Sequence, residues 1–124
     1  MVKIEPDPTL QNNLMSFGWD CDRGWYPLIQ ELIDRLNKEF PNEEIVVLQI
    51  KEKYAGLRFY VGGCSEEAYK LVSFYEEISY HVCEHCSAFW TAKERVKGGW
   101  YKTLCDKCVK NWTGSLIDKF GMFS

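Results

Sequence analysis

Apolar residues return at three- and four-residue steps from Tyr26 to Phe40. Leu28, Ile29, Leu32, Ile33, Leu36 and Phe40 share one face, while Gln30, Glu31, Asp34, Arg35 and Lys38 take the other. That period predicts an amphipathic helix, opened by Pro27 in its first turn and closed by Pro41. The rhythm then changes to two. In EIVVLQIKEKY, Val46, Leu48 and Ile50 alternate with Val47, Gln49 and Lys51. In LRFYV, Leu57, Phe59 and Val61 alternate with Arg58 and Tyr60. Two such strands joined through Ala55-Gly56 predict a hairpin, and Gly62-Gly63 ends the second strand.

Ser65 is a suitable N-cap, and Glu66 and Glu67 suit the positive end of a second helix. Its apolar stripe, Leu71, Val72, Tyr75, Ile78 and Val82, runs on to Cys83. The predicted fold class is α+β: a helix–hairpin–helix core with a small antiparallel sheet over 17–82, and a C-terminal metal-binding module over 83–124. Residues 1–16, with Pro6, Pro8, Asn12 and Asn13, read as a loosely ordered N-terminus of the same single domain.

The module rests on Cys83-x2-Cys86 and Cys105-x2-Cys108, with eighteen residues between the pairs. Two thiolates separated by two residues can turn back onto one ion, and two such grips complete the tetrahedron of soft ligands that zinc favours. The spacing suits one structural Zn2+ better than an iron–sulfur cluster or a thioredoxin-like redox pair. Four cysteines leave no open ligand position, so His81 and His85 are not needed. Between the pairs the chain reads as a hairpin turning near Lys97-Gly98-Gly99, and after Cys105 a helix begins that carries Cys108 on its first turn. A knuckle, a hairpin and a helix bearing the last ligand resemble a treble-clef or zinc-ribbon module.

Charge and composition narrow the function. The net charge of −3 argues against a protein that coats nucleic acid by bulk electrostatics. Its distribution is uneven. Residues 91–110 carry six cations against two acids, a net +4, so the rest of the chain carries −7. The aromatic fraction of 15%, with five Trp and seven Tyr, is enough to build a recognition surface as well as a core. The first ten residues lack the apolar run of a secretory signal, and no segment is apolar enough to span a bilayer, so a reducing cytoplasm is expected.

The strings GWYPLIQELIDRL, VLQIKEKYAGLRFYV, CEHC and GGWYKTLCDKC, in this order and spacing, resemble a family of small bacterial and bacteriophage proteins without an assigned chemistry. The likeness covers about residues 17 to 110. It implies a cytoplasmic phage accessory protein, of the kind that binds and blocks or sequesters something of the host. Where that family has Gly after the first cysteine pair, this chain has Ser87.

Two surfaces are candidates for a ligand. The outward hairpin face offers Lys51, Lys53, Arg58 and Tyr60, cations and an aromatic hydroxyl that can grip phosphate and stack a base. The last hairpin offers Trp100 and Lys102 on one side of their strand, with Tyr101 on the other. Against these stand a plainly solvated sheet face and a Trp100 that packs the metal module. Cys64 as a nucleophile would want a base, for which the chain offers only His81 and His85, and DCDRG (20–24) lacks the later ligands of a calcium loop. The expected function is a non-enzymatic, zinc-stabilised binder of an anionic, nucleotide-like small molecule or of a host protein. The alternatives are a zinc-ribbon nucleic-acid binder using Trp90, Trp100 and Tyr101, and a hydrolase whose site the sequence does not display.

Overall fold

The computed structural model describes residues 2–4 and 19–114. They form a mixed α/β arrangement with two small sheets and three α-helices: β1 (Lys3–Ile4), β2 (Trp19–Asp20), α1 (Tyr26–Glu39), β3 (Val46–Lys53), β4 (Gly56–Gly62), α2 (Glu66–Ser79), β5 (Lys93–Lys97), β6 (Trp100–Leu104) and α3 (Asp106–Val109). A 3-10 turn, Arg23–Trp25, leads into α1. The loosely ordered stretch expected over 1–16 lies outside the described residues, apart from 2–4. Residues 115–124 of the module expected over 83–124 do too.

The sheet is larger than a hairpin. β3 and β4 pair antiparallel, and β1 and β2 add to β3 as short parallel strands, with Lys3 opposite Val46 and Trp19 opposite Ile50. They cover the edge of β3 that a bare hairpin would leave unpaired. The free edge of β4 is closed differently. Leu57 N–H donates to Ser79 Oγ at 2.9 Å and Phe59 N–H to Glu76 Oε2 at 2.8 Å, so side chains of α2 satisfy amides that have no strand partner.

The simple alternation expected in β3 fails at Leu48. The pairing runs Val47 with Val61, then Gln49 with Tyr60, which leaves Leu48 as a bulge and 54% exposed. The extra residue turns Val47 rather than Val46 and Leu48 into the core. After the bulge the phase is as expected, with Ile50, Leu57 and Phe59 inward. These residues pack with Leu28, Ile29, Leu32 and Leu36 of α1 and Val72 and Tyr75 of α2. Ser65 caps α2 through Ala68 N–H at 3.2 Å, and the helix ends at Ser79, four residues short of Cys83.

The turn between β3 and β4 is Tyr54-Ala55, with φ of 51° and 69°. A two-residue turn of this hand suits the sheet twist but favours Gly or Asn, so each residue here costs about 1–2 kcal/mol. Ala55 is held from both sides. Its N–H donates to Glu52 Oε2 at 2.8 Å, and its carbonyl accepts from Thr103 Oγ1 on β6 at 2.7 Å. The second sheet therefore clamps the strained turn of the first.

A further joint requires a glycine. Gly24 N–H donates to the Glu84 carbonyl at 2.7 Å, and a Cβ at Gly24 would overlap the backbone of Cys83 and Glu84. Gly24→Ala is expected to destabilise the protein by about 1–3 kcal/mol, the usual result of overpacking a closed contact. Urea unfolding checks it; an unchanged midpoint would mean that the joint yields.

Candidate metal centre and the pocket beside it

Cys83-Glu84-His85-Cys86 forms a tight knuckle. Ser87 N–H donates to Cys83 O at 2.9 Å, and Cys83 N–H donates to Ala88 O at 2.6 Å. Closing this turn sets Ser87 at φ 74°, a conformation that favours glycine. Here the hydroxyl compensates, donating to Gly24 O at 2.6 Å and tying the knuckle to the turn before α1. The antiparallel β5–β6 hairpin turns on Gly98 and Gly99, both at positive φ, as the sequence predicts. It delivers Cys105 to the N-cap of α3, where Sγ accepts from Cys108 N–H at 3.5 Å.

The four cysteine sulfurs lie within 4.8 Å of one another, and Cys86 and Cys105 are 3.7 Å apart. A tetrahedral zinc with bonds of about 2.3 Å separates its sulfurs by about 3.8 Å, so this group could hold one such ion. Cys83, Cys105 and Cys108 are buried and Cys86 is exposed. Burial works against the Cys105 thiolate, but hydrogen bonds from Cys108 and the neighbouring thiols outweigh it and bring its pKa down to about 7. Among the described residues no histidine belongs to this group.

The knuckle also supplies a residue that sequence reasoning missed. Glu84 is 2% exposed and sits between β6 and the turn before α1. Its N–H donates to Thr103 O at 2.8 Å, and its Oε2 accepts from Asp22 N–H at 3.2 Å. Lys102 joins both acids, hydrogen-bonded to Asp22 Oδ2 and 3.9 Å from Glu84 Oε2. Burial works against the Lys102 ammonium, but Glu84 and Asp22 prevail and hold its pKa above the usual lysine value. Burial pushes Glu84 up to about 8.

This changes the candidate ligand set. Lys102, expected on a ligand surface, is 4% exposed and already carries two acidic partners. Trp100 is half-buried and packs against the cysteine cluster, while Tyr101 meets Tyr54 edge-on at 5.5 Å. Lys51, Lys53, Arg58 and Tyr60 do reach solvent together. Lys51 stands directly opposite Arg58 in the ladder and 5.8 Å from the Tyr60 ring. Lys53 lies over Tyr54, and Arg58 Nη1 donates to Tyr80 Oη at 3.2 Å. Glu84, between two of the paired cysteines, gives no sequence signal, and Asp22 enters only as part of DCDRG, which reads as a loop.

Next to the Lys102 group lies a small open pocket with room for about one water molecule. Asp20, Cys21, Glu52, Glu84, Trp100 and Trp112 contribute to its walls. No helix among the described residues is long and apolar enough to cross a membrane. Comparison with protein families, curated proteins and solved structures finds no match among any of them.

Proposed function

We propose that the protein is a zinc-stapled, non-enzymatic binding protein that grips an anionic group on the outward face of the β3–β4 hairpin. The observation that carries this reading is the direct pairing of Lys51 with Arg58 across the ladder. Like charges opposite one another destabilise a sheet, and among the described residues neither has a carboxylate within ion-pair distance. A bound anion turns that repulsion into a two-sided, charge-assisted grip, with Lys53 alongside and Tyr60 as a ring for a base to stack on. In this reading the four-cysteine module, a treble-clef or zinc-ribbon unit, serves the anion grip only by holding the turn of this hairpin. A nucleotide-like small molecule fits such a face, and the family resemblance favours a phage accessory protein that sequesters it.

Titration with inorganic pyrophosphate and with nucleoside di- and triphosphates tests this. Lys51→Ala and Arg58→Ala should each weaken binding roughly ten- to a hundredfold, while metal content and melting temperature stay nearly constant. Ligand released by heating should return intact. Unchanged binding in both variants moves the site elsewhere, and a cleaved ligand makes the protein a hydrolase.

A second reading, nucleic-acid binding through the last hairpin, draws on Trp90, which is 79% exposed beside Phe89. It is the weaker of the two, because much of the basic segment is engaged elsewhere. Arg95 pairs with Asp106, Lys97 donates to the Trp112 carbonyl and Lys102 is buried.

A further inference from the structure

Gly62 is a glycine that the fold itself does not require. It closes β4 opposite Val46, at a strand position where a side chain would strengthen the pairing. Its φ is not in the left-handed region, and among the described residues a Cβ there would meet only Leu48 Cδ1, at 3.8 Å. Gly24 and Gly56 differ, since a Cβ would overlap the Glu84 backbone in one case and the Tyr80 ring in the other. A strand glycine with neither a conformational nor a packing cause points to a close approach from outside.

Leu48 stands beside this bare backbone. The bulge takes it out of the core and leaves it 54% exposed on the solvent side. Alternation along β4 puts Tyr60, 41% exposed, on the same outward face as Gly62 and directly opposite Gln49. Two residues further along the strands come Lys51 and Arg58, about 7 Å away at the usual rise. One face thus carries a glycine floor with Leu48 beside it, then an aromatic ring with an amide opposite, then two cations.

From this we infer that Leu48, Tyr60 and Gly62 form a base subsite, and that the ligand is a nucleotide held through the phosphate next to its sugar. The inference rests on the reading of Lys51 and Arg58 as the anion grip. One sugar with its ester link spans about the 7 Å between the two rows, so a phosphate on Lys51 and Arg58 brings its base to Tyr60. The base stacks on that ring and extends over Gly62, where a side chain would stand in its way, and Leu48 covers its apolar edge. Gln49 offers both a donor and an acceptor to the polar edge of the base. A bare phosphate would leave Leu48 and Tyr60 uncovered, and a hydrocarbon chain would leave Gln49 without a partner.

The test is calorimetric titration of the metal-loaded full chain with adenosine monophosphate and with ribose 5-phosphate, which has the same sugar and phosphate but no base. The nucleotide should bind about tenfold or more tightly, the usual effect of stacking one base on an aromatic side chain. Gly62→Val fills the floor with a residue that suits a strand, so the two affinities should converge. Should that variant lose stability, Gly62→Ala takes its place, its methyl at an ordinary contact distance from Leu48. Leu48→Ala should narrow the same ratio without altering any charge. Equal affinity of the two probes for the unmodified protein overturns the inference, and so does a tenfold preference that survives both the Gly62 and the Leu48 variant. In either case, binding that still depends on Lys51 and Arg58 leaves the anion grip standing. Failure of both probes and of pyrophosphate to bind would instead remove the grip, and the base subsite with it.

Discussion

Cys105→Ser is expected to release the metal and unfold the chain from Cys83 to at least Trp112. The second hydrophobic cluster consists of Cys83, Ala92, Leu104, Cys105, Cys108 and Trp112, so half of its buried members are ligand cysteines. Without the ion, little apolar surface remains to hold β5, β6 and α3 together. Structural zinc in such small modules contributes about 10–16 kcal/mol of apparent binding free energy at neutral pH, far more than this cluster could replace. The damage should spread to the first sheet. Thr103 clamps the strained Ala55 turn and Glu84 receives Gly24, so both joints open with the module. Metal analysis of the native protein should find one zinc per chain and none in the variant. Hydrogen exchange should show lost protection from residue 83 onward and faster exchange at Leu57. A variant that keeps one equivalent of zinc, or a native protein without any, would sink the staple.

Lys102→Ala should cost about 3–5 kcal/mol, because it leaves Asp22 and Glu84 buried without their cation. Lost binding in that variant would therefore say nothing about ligand contact. The informative comparison is a cycle. Lys102→Met with Asp22→Asn removes both charges and keeps volume and a hydrogen-bonding group, and it should recover much of the loss. Urea midpoints of the four proteins give the coupling. Lys102→Ala with full stability and weaker ligand binding would return Lys102 to the ligand surface. Full stability with unchanged binding would show the buried group to be energetically idle.

The features legible in the chain are those written within one element or one turn. The three- and four-residue period places α1 between Tyr26 and Glu39, and Ser65 with Glu66 and Glu67 marks the start of α2. Two-residue spacing inside each cysteine pair is a local geometric requirement of the ion, so the ligands could be named without knowing how the pairs meet. Gly98-Gly99 signals its hairpin for the same reason: backbone sterics act between adjacent residues. Even there, local reading has limits. Strict alternation in β3 assumed a regular ladder, and one bulged residue, Leu48, exchanged the faces of Val46 and Val47.

The elements and the candidate metal ligands are written in the chain itself, because period, caps and ligand spacing act over a few residues. Which side chains became a site depended on how those elements pack. Lys102 meets Asp22 across 80 residues, and Asp22 meets Glu84 across 62. No spacing rule links such positions; they come together only after the metal module packs on the turn before α1. A lysine in a strand reads as solvent-facing because burying one charge alone is prohibitive, and the partners that make it tolerable lie on separate elements.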